Sequence, residues 1–161
     1  MYKLLIRPVI ALAFALAATV VEAAPVLHRF EPGSMERIVA SMKGKPFVLV
    51  VWSLDCEFCH TSLETLARER QKRKDLEVVT ISTDPADDPT LGPMMKARLT
   101  SLGMAGHAWA FGSLPPERLR YAIDPKWYGE KPRSYWFDAR GERTAYSGII
   151  TRDVISRLFR P

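Results

Sequence analysis

The apolar positions along this 161-residue chain change their spacing several times, and each change marks an element. A helical spacing comes first: Met35, Ile38, Val39 and Met42 follow Ser34, a residue suited to cap a helix, and Gly44 ends it. "PFVLVVW", 46–52, is a short unbroken apolar run rich in β-branched residues, which predicts a strand buried on both faces. From about Cys56 the spacing is helical again, with Leu63, Leu66 and Ala67 on one side and charged residues on the other. "LEVVTIST", 76–83, predicts a second strand and "DPADDP" a loop. Thr90 then opens a helix over Leu91, Met94, Met95, Leu99 and Leu102 that Gly103 closes. "HAWAF" predicts another strand, and Ser113 with Glu117 frames a short helix over "PPERLRYAI". "RSYWFDARGERTAYSG" predicts a hairpin turning at Gly141. Thr151 caps a last helix with Val154, Ile155, Leu158 and Phe159 facing inward. This alternation predicts an α/β fold with a mixed central sheet flanked by helices.

The N-terminus adds a compartment. Lys3 and Arg7 precede an apolar run, Val9 to Val21, and the small residues Ala23 and Ala24 follow it, the layout of a secretory signal cleaved after Ala23. The run is shorter than the roughly 18 to 20 apolar residues that cross a bilayer comfortably, which favours cleavage over an uncleaved membrane anchor. The expected organisation is a signal peptide over 1–23 and one folded domain over 24–161, in a periplasm or an equivalent exported location where disulfides form. With 47% apolar residues the domain builds a core without disulfide stapling, which frees its two cysteines for chemistry. The net charge is +5, but the basic residues are scattered. Their densest cluster, "RERQKRK" at 68–74, falls where a helix ends, and cations there offset the helix dipole. It reads as a solvated helix end, and no nucleic-acid partner is expected.

Those cysteines stand in Cys56-Glu57-Phe58-Cys59-His60, a string with two incompatible readings. C-x-x-C-H attaches a c-type haem, and C-x-x-C at a strand-to-helix junction is a redox centre. A c-type cytochrome needs a distal ligand, for which Met94, Met95 or Met104 is available. Met94 and Met95 lie on an apolar helical stripe, however, where methionine fills core gaps. That reading also leaves the preceding strand and the closing hairpin without a purpose. The redox reading uses both. A buried strand ending in a loop puts Cys56 at a helix N-terminus, where the dipole and free N–H groups favour a thiolate, and Cys59 one turn on can resolve a mixed disulfide.

"GKPFVLVVWSLDCEFC" resembles the strand and active-site segment of the thioredoxin superfamily, and "KPRSYWFDARGER" resembles its cis-proline segment and hairpin, in the version carried by the exported TlpA-like branch. The charged, helical stretch from about Asp84 to Tyr121 resembles the extra strand and helix that this branch inserts before that hairpin. The resemblance spans Ser34 to Phe159. It implies a thioredoxin-like fold and a thiol:disulfide oxidoreductase, a protein-disulfide reductase with Cys56 as nucleophile and Cys59 as resolving thiol. No metal or cofactor is implied beyond the redox-active Cys56–Cys59 disulfide. Pro132 is implied to be cis, with Lys131, Pro132 and Trp52 meeting the substrate. The implied partners are cysteine-containing exported proteins, such as apocytochromes or copper-site proteins, and a membrane electron donor if the protein works as a monomeric reductant.

The sequence departs from the family at several places. Val50 stands where many members have a buried acid, and Glu64 is the carboxylate that could replace it. Asp55 and Glu57 flank Cys56 with negative charge, which opposes a thiolate, while Lys131 and a protonated His60 favour it. Asp55, Glu57, Phe58 and His60 are therefore the expected modulators, with His60 otherwise read as a solvent-exposed first-turn residue. A third reading is a copper-binding metallochaperone using both cysteines and a remote histidine, for which His107 is the candidate; His28 has no visible partner.

Overall fold

The protein is described here by a computed structural model covering residues 26–160. The expected signal over 1–23 lies outside the described residues. The elements are β1 (Leu27–Phe30), α1 (Ser34–Ser41), β2 (Phe47–Trp52), α2 (Glu57–Lys72), β3 (Glu77–Pro85), α3 (Leu91–Ser101), a 3-10 turn (Ala105–His107), β4 (Ala108–Phe111), α4 (Pro116–Ile123), β5 (Arg133–Phe137), β6 (Arg143–Ser147) and α5 (Arg152–Leu158). They form one six-stranded sheet in the order β1-β4-β3-β2-β5-β6. β1, β4, β3 and β2 run parallel, and β5 is antiparallel to both β2 and β6.

All six residues of β2 are buried because helices cover both faces of the sheet. The two-residue period of a strand sends Val48, Val50 and Trp52 to one side, against Leu63 and Leu66 of α2, and Phe47, Leu49 and Val51 to the other, against Ile38 of α1 and Leu119 of α4. Each such side chain contributes about 1.5–3 kcal/mol on burial, so β2 is the strand least free to shift. Phe47 and Phe137 stack across the β2–β5 pair at 4.3 Å between ring centroids.

The expected mixed sheet, the hairpin and the inserted elements α3, β4 and α4 are all present. β1 was not expected. Only Phe30 of its four residues is buried, so its apolar alternation is too weak to read, and its pairing with β4 is what defines it. The start of α1 also differs. Gly33 occupies the capping position at φ 84°, and the buried Ser34 Oγ instead accepts from the Glu31 N–H (2.9 Å) and from Arg37 (2.7 Å). Ser113 does not cap α4, which starts behind Pro115 with Pro116 in its first turn. At α3 it is Asp88 Oδ1, not the Thr90 side chain, that accepts from the Thr90 and Leu91 N–H groups, both at 2.8 Å. Thr151 caps α5 as expected, accepting from the Val154 N–H. Met94 lies on the outer face of α3, 51% exposed, while Met95 and Leu99 fill the core.

Candidate active site

β2 leaves the core at Trp52, and the chain turns through Ser53, Leu54 and Asp55 into α2. Cys56 is the N-cap of that helix. Its backbone is extended, and its sulfur accepts from the Cys59 N–H at 3.2 Å. Cys59 sits one turn further on, fully buried, and is joined to Cys56 by a disulfide with the Cα atoms 5.2 Å apart. Cys56 is half-buried, so its sulfur is the one a partner can reach, with Glu57 and Phe58 exposed beside it. The helix N-terminus supplies unpaired N–H groups and the positive end of the dipole, which stabilise a thiolate once the disulfide is reduced.

The Lys131–Pro132 peptide bond is cis. The segment that carries it is held by a buried polar cluster. Asp124 accepts from the Lys126 N–H (3.0 Å), the Tyr135 hydroxyl (3.1 Å) and Arg133 Nη2 (3.1 Å), and Trp127 Nε1 donates to Glu130 O at 2.8 Å. Burial alone would push the Asp124 carboxyl up, but these hydrogen bonds and the Arg143 charge hold it below the usual carboxylate range. On the far side, Gly148 N–H donates to Pro132 O at 3.0 Å.

The Lys131 side chain reaches back to the other loop. Its ammonium donates to Ser53 Oγ at 2.5 Å and to Thr83 Oγ1 at 3.1 Å, and lies 3.8 Å from Asp55 Oδ1. Ser53 in turn donates to Asp55 Oδ1 at 2.5 Å. The Ser53 hydroxyl first, and the Lys131 charge second, keep the Asp55 carboxyl below its ordinary range. Leu54 is fixed at both ends of its backbone: its N–H donates to Asp84 Oδ2 (2.8 Å), and its carbonyl accepts from His60 Nε2 (2.8 Å). Asp84 also accepts from Ser82 Oγ at 2.9 Å. The loop preceding the disulfide is therefore pinned by β3, by α2 and by the cis-proline segment.

No protein-family model and no curated protein matches the sequence. Solved structures do. A DsbF homologue from Corynebacterium diphtheriae superposes with a TM-score of 0.58 at 16% identity, over 74% of this chain and 73% of that one. A thiol:disulfide interchange protein of the thioredoxin family from Chlorobium tepidum gives 0.56 at 19% identity, over 74% and 80%. A secreted disulfide oxidoreductase from Mycobacterium tuberculosis gives 0.53 at 20% identity, over 73% and 82%. The chain has a thioredoxin-like fold.

Within that thioredoxin-like frame, Cys56, Cys59, Lys131, Asp55 and His60 come together at the C-terminal end of β2, and other residues singled out in the sequence do not. Trp52 has no exposed surface and so cannot touch a docked partner; it packs in the core beneath the loop, with the His60 ring edge-on at 6.2 Å. His60 is not a free surface residue, because it is half-buried and holds Leu54. Glu64 does not replace the missing acid. It pairs with Arg98 at 2.7 Å, and that hydrogen bond holds its carboxyl below the usual range. Val50 and Cys59 belong to one apolar cluster.

Among the described residues no three His, Cys, Asp or Glu side chains gather into a metal-holding group. His107 precedes β4, at the opposite end of the parallel strands from Cys56, and His28 packs on Trp109 at 4.9 Å. For haem, both sulfurs are committed to each other, Met94 faces outward, and Met95 and Met104 are buried in apolar core.

Ser53, Thr83 and Asp84 are site residues that the sequence reading passed over. Their signal is positional: each lies at or just past the C-terminal end of a parallel strand, where α/β sheets place their chemistry.

Proposed function

We propose that this protein is an exported thiol:disulfide oxidoreductase that reduces disulfides in other exported proteins. The observation that carries the reading is the Cys56–Cys59 disulfide, with one sulfur half-exposed at the N-terminus of α2 and the other fully buried one turn on, in a chain that also carries a cis-proline. In the reduced protein the Cys56 thiolate attacks a partner's disulfide. A bond forms between Cys56 Sγ and one partner sulfur, and the other partner sulfur leaves as a thiolate and takes up a proton. The Cys59 thiolate then attacks Cys56 Sγ and displaces the second partner sulfur. The partner gains two electrons and two protons, and the chain returns to the disulfide form.

Export is supported by the charged and apolar layout of residues 1–23, and one of the similar folds is that of a secreted disulfide oxidoreductase. The substrate class proposed is cysteine pairs of exported proteins that must stay reduced before a metal or haem is attached, with a membrane electron donor recharging a monomeric protein. The test is the reduction potential of the Cys56/Cys59 pair. A value near or below about −250 mV supports a reductant, and a value above about −180 mV would move the assignment to an oxidase or isomerase. A Cys59→Ala variant should trap mixed disulfides through Cys56 in the exported fraction, and recovery of none would count against the reading.

A further inference from the structure

The charges of this domain are sorted between its two poles. β2, β3 and β4 run parallel, so all three begin at one pole and deliver their C-terminal ends, with the disulfide, to the other. α2 crosses the domain from the disulfide to the opposite pole, a span of about 24 Å for its 16 residues. Its end brings Arg70, Lys72, Arg73 and Lys74 there. The turn between α1 and β2 brings Lys43 and Lys45 to the same pole, as the pairing Phe47↔Glu77 and the contact of Lys45 with Glu77 require. A helix dipole accounts for cations at the end of α2 but not for Lys43 and Lys45. At this pole stand the carboxylates Glu69, Asp75 and Glu77 and, because Phe47 pairs with Phe137 and Phe137 with Arg143, also Asp138 and Glu142 of the hairpin turn, both paired with Arg140. Glu69 is buried under Lys72 and Arg73, and Lys43, Arg70 and Lys74 form no ion pair among the described residues. Between the ends of α2 and α3, Arg70, Arg73 and Lys74, with Arg68, border a hollow of about 540 Å³ that Glu64 and Glu77 also line. At the disulfide pole the acidic charges are Asp55 and Glu57 beside Cys56 and Asp87 and Asp88 after β3, with Asp87 paired to Arg29 at 2.7 Å and the Lys131 ammonium turned toward Asp55.

The chain also enters at the basic pole, because β1 is parallel to β4 and residue 26 therefore approaches from the side where the strands begin. Four residues, Glu22 to Pro25, separate Val26 from the end of the apolar run. Fully extended they reach no more than about 14 Å. No helix among the described residues is long and apolar enough to cross a membrane, so the described part of the chain would meet a bilayer through its surface.

We propose that the basic pole docks on an anionic lipid surface, leaving the disulfide at the far pole open to partners. Lys and Arg side chains held within a Debye length of anionic headgroups are attracted, and the acidic face around Cys56 is repelled, so charge alone selects this orientation. With the apolar run retained, the four-residue connection keeps the pole within about 14 Å of it, on the order of one to two Debye lengths; with it cleaved, the same pole gives a weaker and reversible association. The inference rests on the export reading of residues 1–23 and is independent of the redox chemistry.

The test is co-sedimentation of the full chain with vesicles of phosphatidylcholine alone and with about 30% phosphatidylglycerol. The apolar segment contributes to both, so the difference reports the basic pole. Binding should be about tenfold tighter to the anionic vesicles, and the gain should vanish at about 0.5 M salt. A Lys43→Glu/Lys74→Glu variant should lose the gain, while Lys96→Glu/Arg118→Glu, with the same change in net charge elsewhere, should keep most of it. Reduction of a small soluble disulfide should be the same in all three proteins, which separates a failure here from a failure of the redox reading. Equal partitioning to the two vesicle types, loss of the gain in both variants alike, or stronger salt-sensitive retention on single-stranded RNA than on the vesicles would overturn the proposal.

Discussion

Lys131, the residue before the cis-proline, donates to Ser53 Oγ at 2.5 Å and so couples the cis-proline loop to the loop that leads into Cys56. The two loops are 78 residues apart in sequence. The Lys131 ammonium and the Asp55 carboxylate partly cancel each other's charge next to Cys56.

Charge at this junction should be visible in the reactivity of Cys56. In the reduced protein, Lys131→Met should move the pH profile of iodoacetamide alkylation upward by about half a pH unit, and Asp55→Asn should move it downward. Profiles that move in the same direction would mean that the cluster supplies position and not electrostatics.

The Leu54 peptide should be the local gauge of loop order. Asp84→Ala removes the acceptor of its N–H, so amide exchange at Leu54 should quicken by about tenfold, with a stability loss of about 1 kcal/mol for the lost part-buried bond. Unchanged exchange at Leu54 would show that His60 alone holds the loop.

Asp124 should matter for stability and for its acid dependence. Its carboxylate is 5% exposed and paired with Arg133, so Asp124→Asn should cost about 3 kcal/mol near neutrality. Because its pKa is depressed in the folded protein, the stability it supplies is complete above the ordinary aspartate value of about 4 and drains away as the pH falls through the lower folded value. Urea midpoints of the wild type and the variant should therefore converge below about pH 4.

Tyr135 should ionise well above the ordinary tyrosine value. Burial first, with the neighbouring Asp124 charge adding to it and Arg133 opposing, pushes its hydroxyl up to about 12. The stability tied to its protonated form is present below about pH 10, where an unfolded tyrosine ionises, and is lost as the pH rises toward 12. A phenolate absorbance titration of Tyr135→Phe should lack the step near pH 12, and the variant should be about 1 kcal/mol less stable at pH 7.

The sequence exposed this fold where burial is two-sided or strictly alternating. β2 could be read because every residue in it is apolar, whereas β1 could not, because His28 and Arg29 face outward and only its partner β4 gives it a place. Helix caps were legible only where the local side chain does the capping, as at Thr151; at Ser34 and Thr90 the job passed to a glycine and to Asp88. The cysteines and the proline were legible because their spacing is local. The Ser53–Lys131–Thr83 junction was not, since it exists only once β2, β3 and the segment before β5 converge, and no spacing within one segment encodes it.

The two outermost strands have a further consequence. β1 is four residues long and carries His28 and Arg29, and β6 is five residues long with Arg143, Thr144 and Ser147 among them. Such short, polar borders are poor templates for polymerising sheet to sheet, which protects a crowded population of these molecules from aggregation. They are equally poor at capturing an extended client by adding it as a seventh strand. On the proposed function, a client reaching Cys56 would meet only the loops at the disulfide pole, and its selection would rest on a handful of side chains there.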